Sequence, residues 1–161
     1  SFLVAGVLPL GVFRQLFFVG ASEYFETPLT ARLARFARVI PVDPDSSLVP
    51  AMQAGGFGLR HGKVLVLFPE GERSIDGTVK AFKKGAAILS HHLAAPIVPV
   101  AISGGRASMR KGSTIVHPVD VSIRIGEPIP TAGMTLDDRD RLIARVRTEV
   151  ERLLQQGSTW N

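Results

Sequence analysis

The chain contains no cysteine. That excludes disulfides, thiolate nucleophiles and cysteine-based metal sites, and it fits a reducing compartment. It has one Trp and one Tyr, so its basic groups are not interleaved with the stacking aromatics a nucleic-acid binder needs. No apolar run is long enough to cross a bilayer, which takes about 20 residues. The longest, Phe2 to Phe13, is broken by Gly6, Pro9 and Gly11. Neither a transmembrane helix nor a signal peptide is legible within the chain. Also lacking are Gly-x-Ser-x-Gly, Gly-x-Gly-x-x-Gly, a Walker loop, a His/carboxylate metal cluster, an internal repeat and a low-complexity segment. Acid is scarcer than base: 14 Asp and Glu against 19 Lys and Arg give a net charge of +5. The balance favours anionic partners such as phosphorylated substrates, acidic carriers or anionic lipid.

What is present is a 161-residue chain, 45% hydrophobic, with a mean hydropathy of +0.21. It is long enough for one domain with a core of its own. We expect that domain over 1–157, with 158–161 as a frayed tail. The chain starts at Ser1 inside apolar sequence, so an N-terminally truncated domain is expected. Short β-type runs recur at 14–20, 38–42, 63–68, 95–102 and 119–125, several of them continuously apolar, as strands covered on both faces are. Helical patterns alternate with them. Thr27-Pro28 reads as a helix start, with Leu29, Leu33 and Phe36 on one face. Ser46 or Ser47 caps a second helix toward Gly55, and 83–93 suggests a third. A fourth runs from Leu136 to Gln155, with Thr135 as its cap and an apolar stripe of Leu142, Val146, Val150 and Leu153. This alternation predicts an α/β fold: a mostly parallel central sheet flanked by helices.

Ligands of a parallel α/β sheet gather outside the carboxyl ends of its strands. Phe68 ends a strand run, which puts Pro69 to Ser74 at such a rim. There Arg73 can grip phosphate with both arms of its guanidinium, and Lys80, Lys83 and Lys84 add positive potential. Glu70, ionised among these cations, can accept from a substrate hydroxyl or hold an Arg. A surface turn with a Glu–Arg pair and a solvated Lys run has the same spacing, and spacing alone does not separate the two.

The segment FPEGERS at 68–74 resembles the Phe-Pro-Glu-Gly-Thr-Arg-Ser block of the glycerolipid acyltransferases, the lysophosphatidic acid acyltransferase family, with Glu72 in place of Thr. IPVD at 40–43, AFKKG at 81–85 and IVPVAI at 97–102 are similar to further family blocks, in the family's order. The resemblance implies transfer of a fatty acyl group from acyl-CoA or an acyl-carrier protein to a lysophospholipid or glycerol-phosphate hydroxyl, in phospholipid biosynthesis or remodelling. It implies direct general-base attack, with no cofactor and no metal. Glu70, Gly71, Arg73 and Ser74, with Lys83, are the acceptor-binding residues it designates. It also implies peripheral attachment to an anionic membrane surface, on the cytoplasmic face. The variant IPVDPDS, with Pro44 where many members carry Arg, is similar to the 2-acylglycerophosphoethanolamine acyltransferases, which are often fused to an acyl-activating domain.

The family's catalytic His and Asp are separated by four residues. The opening SFLVAG resembles the Asp half of that signature, with Val4 at the Asp position, and the His falls upstream of Ser1. Valine can neither orient nor stabilise an imidazolium. No catalytic residue is therefore intact in this register, and no Asp occurs before Asp43. His61, His91, His92 and His117 offer no replacement base. The competing expectation is a catalytically impaired domain that binds lysophospholipid without acyl transfer.

Overall fold

The computed structural model describes residues 8–21, 27, 32, 36, 38–42, 49–70, 78–105 and 117–156. The chain divides into two compact units, Ser1–Leu67 and Phe68–Asn161.

The first unit is built on a three-stranded sheet of β1 (Leu16–Ala21), β2 (Val39–Val42) and β3 (Val64–Val66), in the order β2-β1-β3. Both pairings are parallel, with Phe18 opposite Val39 and also opposite Val66. The central position of β1 explains its unbroken apolar run. Successive side chains point to opposite faces, and Leu16, Phe17 and Phe18 are all buried. Leu16 and Phe18 pack with Leu8, Val39 and Val66 on one face. Phe17 faces the other way, toward helix α2 (Val49–Arg60). A Cβ added at Gly58 of that helix would lie 2.5 Å from the Phe17 ring. The glycines of α2, which cost about 1 kcal/mol each relative to Ala in a helix interior, here allow a helix backbone to approach an aromatic ring. Of the helix expected after Thr27-Pro28, Arg32 and Phe36 are described as helical. Phe36 is 90% exposed, so it is not the core residue that the apolar spacing suggested. Leu29 and Leu33 lie outside the described residues, as do the cap candidates Ser46 and Ser47. Helix α2 itself runs past Gly55 to Arg60 and closes at Gly62, whose φ of +69° suits glycine.

The amino ends of the three strands are laced together. A short helix α1 (Leu10–Phe13) leads into β1. The Arg38 guanidinium donates to the carbonyls of Phe13 and Arg14. The Phe18 N–H donates to the Arg38 carbonyl at 2.9 Å, and the Val64 N–H to the Gln15 carbonyl at 2.9 Å.

The second unit holds helix α3 (Gly85–Leu93), strands β4 (Val100–Ser103) and β5 (Ser122–Ile125), and the long helix α4 (Arg139–Gln155). Here the topology departs from the parallel expectation: β4 and β5 form their own antiparallel pair, with Ala101 opposite Arg124, extended by an isolated Ile97–Ile129 bridge. No crossover helix separates these strands among the described residues, and an antiparallel pair needs none. Ala87, Ile129 and Leu142 form the core, with Ile97, Met134, Ile143 and Val146 against it. All four residues of the α4 stripe, Leu142, Val146, Val150 and Leu153, are buried or half-buried as the helical period requires. The turn before α4 is a 3₁₀ stretch, Leu136–Asp138, preceded by Thr135 as expected. The Thr135 N–H donates to Asp138 Oδ2 at 2.8 Å, and its hydroxyl donates to the same oxygen at 3.1 Å. The far end of α3 is closed by Ala94 in the left-handed region (φ 48°). There the Ser90 hydroxyl and the Thr131 hydroxyl both donate to the Ala95 carbonyl, Thr131 at 2.9 Å. Thr131 is almost wholly buried, and these bonds satisfy its polar atom.

Candidate functional site

Strand β3 is shorter than its apolar run, ending at Val66. The chain then passes through Leu67 and the half-exposed Phe68 to Pro69 and Glu70. Gly71, Arg73 and Ser74 lie outside the described residues, and so does Val4. The chain is described again from Thr78. Two hydrogen bonds join the flanks of that interval. The Lys83 N–H donates to the Pro69 carbonyl at 2.8 Å. The Lys80 N–H donates to Glu70 Oε2 at 3.1 Å. Glu70 is half-buried, and a carboxylate accepting a backbone N–H makes a charge-assisted bond stronger than a neutral one.

The strap 78–84 is anchored on α4 as well. Arg147 Nη2 donates to the Val79 carbonyl at 3.3 Å. Lys84 Nζ lies 3.2 Å from Asp140 Oδ1. Of the three lysines grouped by the sequence, Lys84 thus answers a carboxylate of its own unit, while the Lys83 side chain is exposed. Sequence reasoning missed Val79 and Arg147 as parts of this arrangement. Nothing in the local pattern at Val79 points to a helix residue so far along the chain. Arg147 lies beside Glu151 at 2.8 Å, which looks like an ordinary helix-surface pair.

The electrostatics of α4 are set by its own carboxylates. Asp138 is held below its ordinary carboxyl range, first by the Thr135 N–H, then by the Thr135 hydroxyl, with Arg141 and His91 adding to the effect. Asp140 is lowered chiefly by its hydrogen bond to Lys84, then by Arg139. Glu149 is lowered by Arg152, whose Nε donates to it at 2.9 Å.

Of the histidines, His61 is tied to α2, the helix it follows. His61 Nδ1 lies 2.8 Å from the Phe57 carbonyl, and its ring centroid is 4.1 Å from that of Phe57. His91 and His92 occupy the last turn of α3, where the carbonyl ends favour positive charge. His117 is exposed, outside regular structure. Among the described residues, no group of His, Asp and Glu comes together that could hold a metal ion, and no helix is long and apolar enough to cross a membrane.

The similarity to known proteins is specific. A family model described as Acyltransferase matches residues 2–103, and the chain belongs to that family. It is 30% identical over 149 residues to a 1-acyl-sn-glycerol-3-phosphate acyltransferase of Limnanthes douglasii, spanning 91% of this chain and 52% of that protein. It is 33% identical over 93 residues to the human 1-acyl-sn-glycerol-3-phosphate acyltransferase alpha, spanning 58% of this chain and 33% of that protein. Among solved structures it is similar to the 1-acyl-sn-glycerophosphate (LPA) acyltransferase PlsC of Thermotoga maritima. That match has a TM-score of 0.74 and 26% identity, covering 91% of this chain and 59% of that one. The chain spans about half the length of the first of these curated relatives.

Proposed function

We propose that this chain is the acceptor-binding part of a 1-acylglycerol-3-phosphate acyltransferase, which moves a fatty acyl group from a thioester to the free hydroxyl of lysophosphatidic acid. The observation that carries the reading is the family match over 2–103, which takes in the FPEGERS segment and all of the SFLVAG opening but Ser1. The relatives named for lysophosphatidic acid favour that acceptor over the phosphoethanolamine lipid suggested by IPVDPDS. Gly71, Arg73 and Ser74, with Lys83, supply the acceptor-phosphate site, which Glu70 immediately precedes in the chain. Arg73 supplies the planar pair of donors that a phosphate accepts, and Lys83 supplies a compact charge. The donor is an acyl thioester, of acyl-CoA or of a carrier protein. The acceptor is drawn from an anionic membrane surface by peripheral contact, which the +5 net charge supports.

A second reading is favoured by Val4. If SFLVAG occupies the catalytic position, the chain keeps an acceptor site without the carboxylate that orients the base. Losing such a carboxylate costs roughly 10⁴ in turnover where the His–Asp pair of serine proteases has been tested. The experiment is acyl transfer from acyl-CoA and from acyl-carrier protein to lysophosphatidic acid. It compares the 161-residue chain, that chain extended upstream to carry the family His, and the extended chain with Val4→Asp. Transfer is expected in the last alone. Full transfer by the 161-residue chain means the catalytic residues lie elsewhere. An inactive Val4→Asp chain that still binds lysophosphatidic acid supports the non-catalytic reading.

A further inference from the structure

We infer that Glu70 is a positioning residue, which acts through the Lys80 amide to fix the two flanks of the 71–77 interval, rather than a ligand of the acceptor. The inference deepens the acceptor-site reading and rests on it for the identity of the acceptor alone.

Four observations carry it. Glu70 Oε2 accepts the Lys80 N–H at 3.1 Å. One residue earlier, the Pro69 carbonyl accepts the Lys83 N–H at 2.8 Å, so two adjacent residues hold two points of the returning strap. On its other side the strap is tied to α4, through Arg147 to the Val79 carbonyl and Lys84 to Asp140. Arg73 and Ser74 fall in sequence between the tied points. Holding the two flanks of a ligand-binding stretch at fixed points lowers the ordering cost of binding.

The electrostatics agree. A carboxylate is a poor neighbour for a phosphate, because both are anions and accept hydrogen bonds. A carboxylate set beside a phosphate site is better explained by what it does to the protein's own donors. Glu70 has such a donor in the Lys80 amide.

The experiment separates latch from ligand with Glu70→Gln and Glu70→Ala in the 161-residue chain. Glutamine keeps an oxygen acceptor at the same reach but loses the charge; alanine loses both. The first readout is hydrogen exchange of the Lys80 and Lys83 amides, followed by NMR. The second is affinity for lysophosphatidic acid presented as dilute monomer, with the melting temperature recorded alongside. We expect Glu70→Ala to speed Lys80 exchange at least tenfold and to weaken lysophosphatidic acid binding about tenfold, at little change in melting temperature. Glu70→Gln restores protection and binds within about threefold of the parent. Unchanged Lys80 exchange in Glu70→Ala overturns the latch. So does a Glu70→Gln protein whose Lys80 stays protected while affinity falls as far as in Glu70→Ala, since the carboxylate then meets the ligand. If the parent chain does not bind lysophosphatidic acid, the acceptor reading fails, and amide exchange still decides the latch.

Discussion

Among the described residues, the two units of this chain dispose of their charge in different ways. Every ionised side chain described in 8–67 is a cation: Arg14, Arg32, Arg38, Arg60 and Lys63, all exposed. Large apolar residues are exposed in the same unit, Leu10 at 64%, Phe57 at 62% and Phe13 at 44% among them. In the second unit cations are met by acids: Arg141 by Asp138, Arg147 by Glu151, Arg152 by Glu149, and Lys84 by Asp140. The first unit is centred on β1, which is buried on both faces, and the described cations lie outside that core. The second unit rests on α4, where Arg139, Arg141, Arg147 and Arg152 each meet a carboxylate. Exposed cations with apolar neighbours in the sequence suit an anionic lipid surface, whereas ion-paired ones organise their own helix.

The comparison is broken most forcefully in the core of the first unit. Phe18→Ala removes an aromatic ring packed among Leu8, Leu16, Val39 and Val66. It should destabilise the chain by about 3–5 kcal/mol, read by chemical denaturation. A change below about 1 kcal/mol would mean that β1 is not the organising strand.

Lipid binding gives the next largest effect. Each exposed cation near an anionic membrane contributes on the order of 1 kcal/mol. Replacing Arg14, Arg60 and Lys63 together by Glu should weaken binding to phosphatidylglycerol vesicles by about a hundredfold or more. Replacing the paired Arg147 and Arg152 should weaken it far less. Sedimentation with vesicles measures both, and added salt should erode the parent's binding. Equal losses from the two sets would erase the distinction between the units.

A closer contrast is available at Gly58. Alanine there gains helix propensity of about 1 kcal/mol, yet its Cβ would lie 2.5 Å from the Phe17 ring. We expect net destabilisation of about 1–2 kcal/mol, relieved in part by pairing Gly58→Ala with Phe17→Leu. Stabilisation by Gly58→Ala alone would show that the helix is not pressed against β1.

Much of this was legible because the relevant physics is local. The apolar runs located the five described strands to within a few residues, and Thr135 marked the start of the last helix. The chemistry of a capping residue needs no tertiary partner. The antiparallel β4–β5 pair was not legible, since an apolar run such as 95–102 looks the same in either direction. Nor was the exposure of Phe36, because apolar spacing defines a face without saying what covers it. At the candidate site, the carboxylate and cations of 70–83 stand out in the sequence. The hydrogen bonds from Lys80 to Glu70 and from Arg147 to Val79 join residues whose own neighbourhoods carry no sign of one another.

The smallest expected effect is in the second unit and depends on pH. Asp138 has its carboxyl lowered in the folded chain, first by the Thr135 N–H, then by the Thr135 hydroxyl, with Arg141 and His91 contributing. Asp140 is lowered by Lys84 and Arg139, and Glu149 by Arg152. A carboxylate with a depressed folded pKa contributes stability that is fully present above its unfolded value, about 4 for Asp. That contribution is lost as pH falls through the lower folded value. Helix content followed on heating should therefore be nearly constant from pH 7 to about pH 5 so far as these groups decide it, then fall as the solution is acidified further. Asp138→Asn should flatten part of that fall, because the amide does not titrate and its oxygen can still accept from Thr135. It should also lower stability slightly at neutral pH, since the charge assistance is gone. The Phe18→Ala loss should not change with pH over the same range, because no described neighbour in its cluster titrates. An acid profile of equal slope in the parent and Asp138→Asn proteins would show that the carboxylate before the last helix contributes nothing to the balance that distinguishes the second unit from the first.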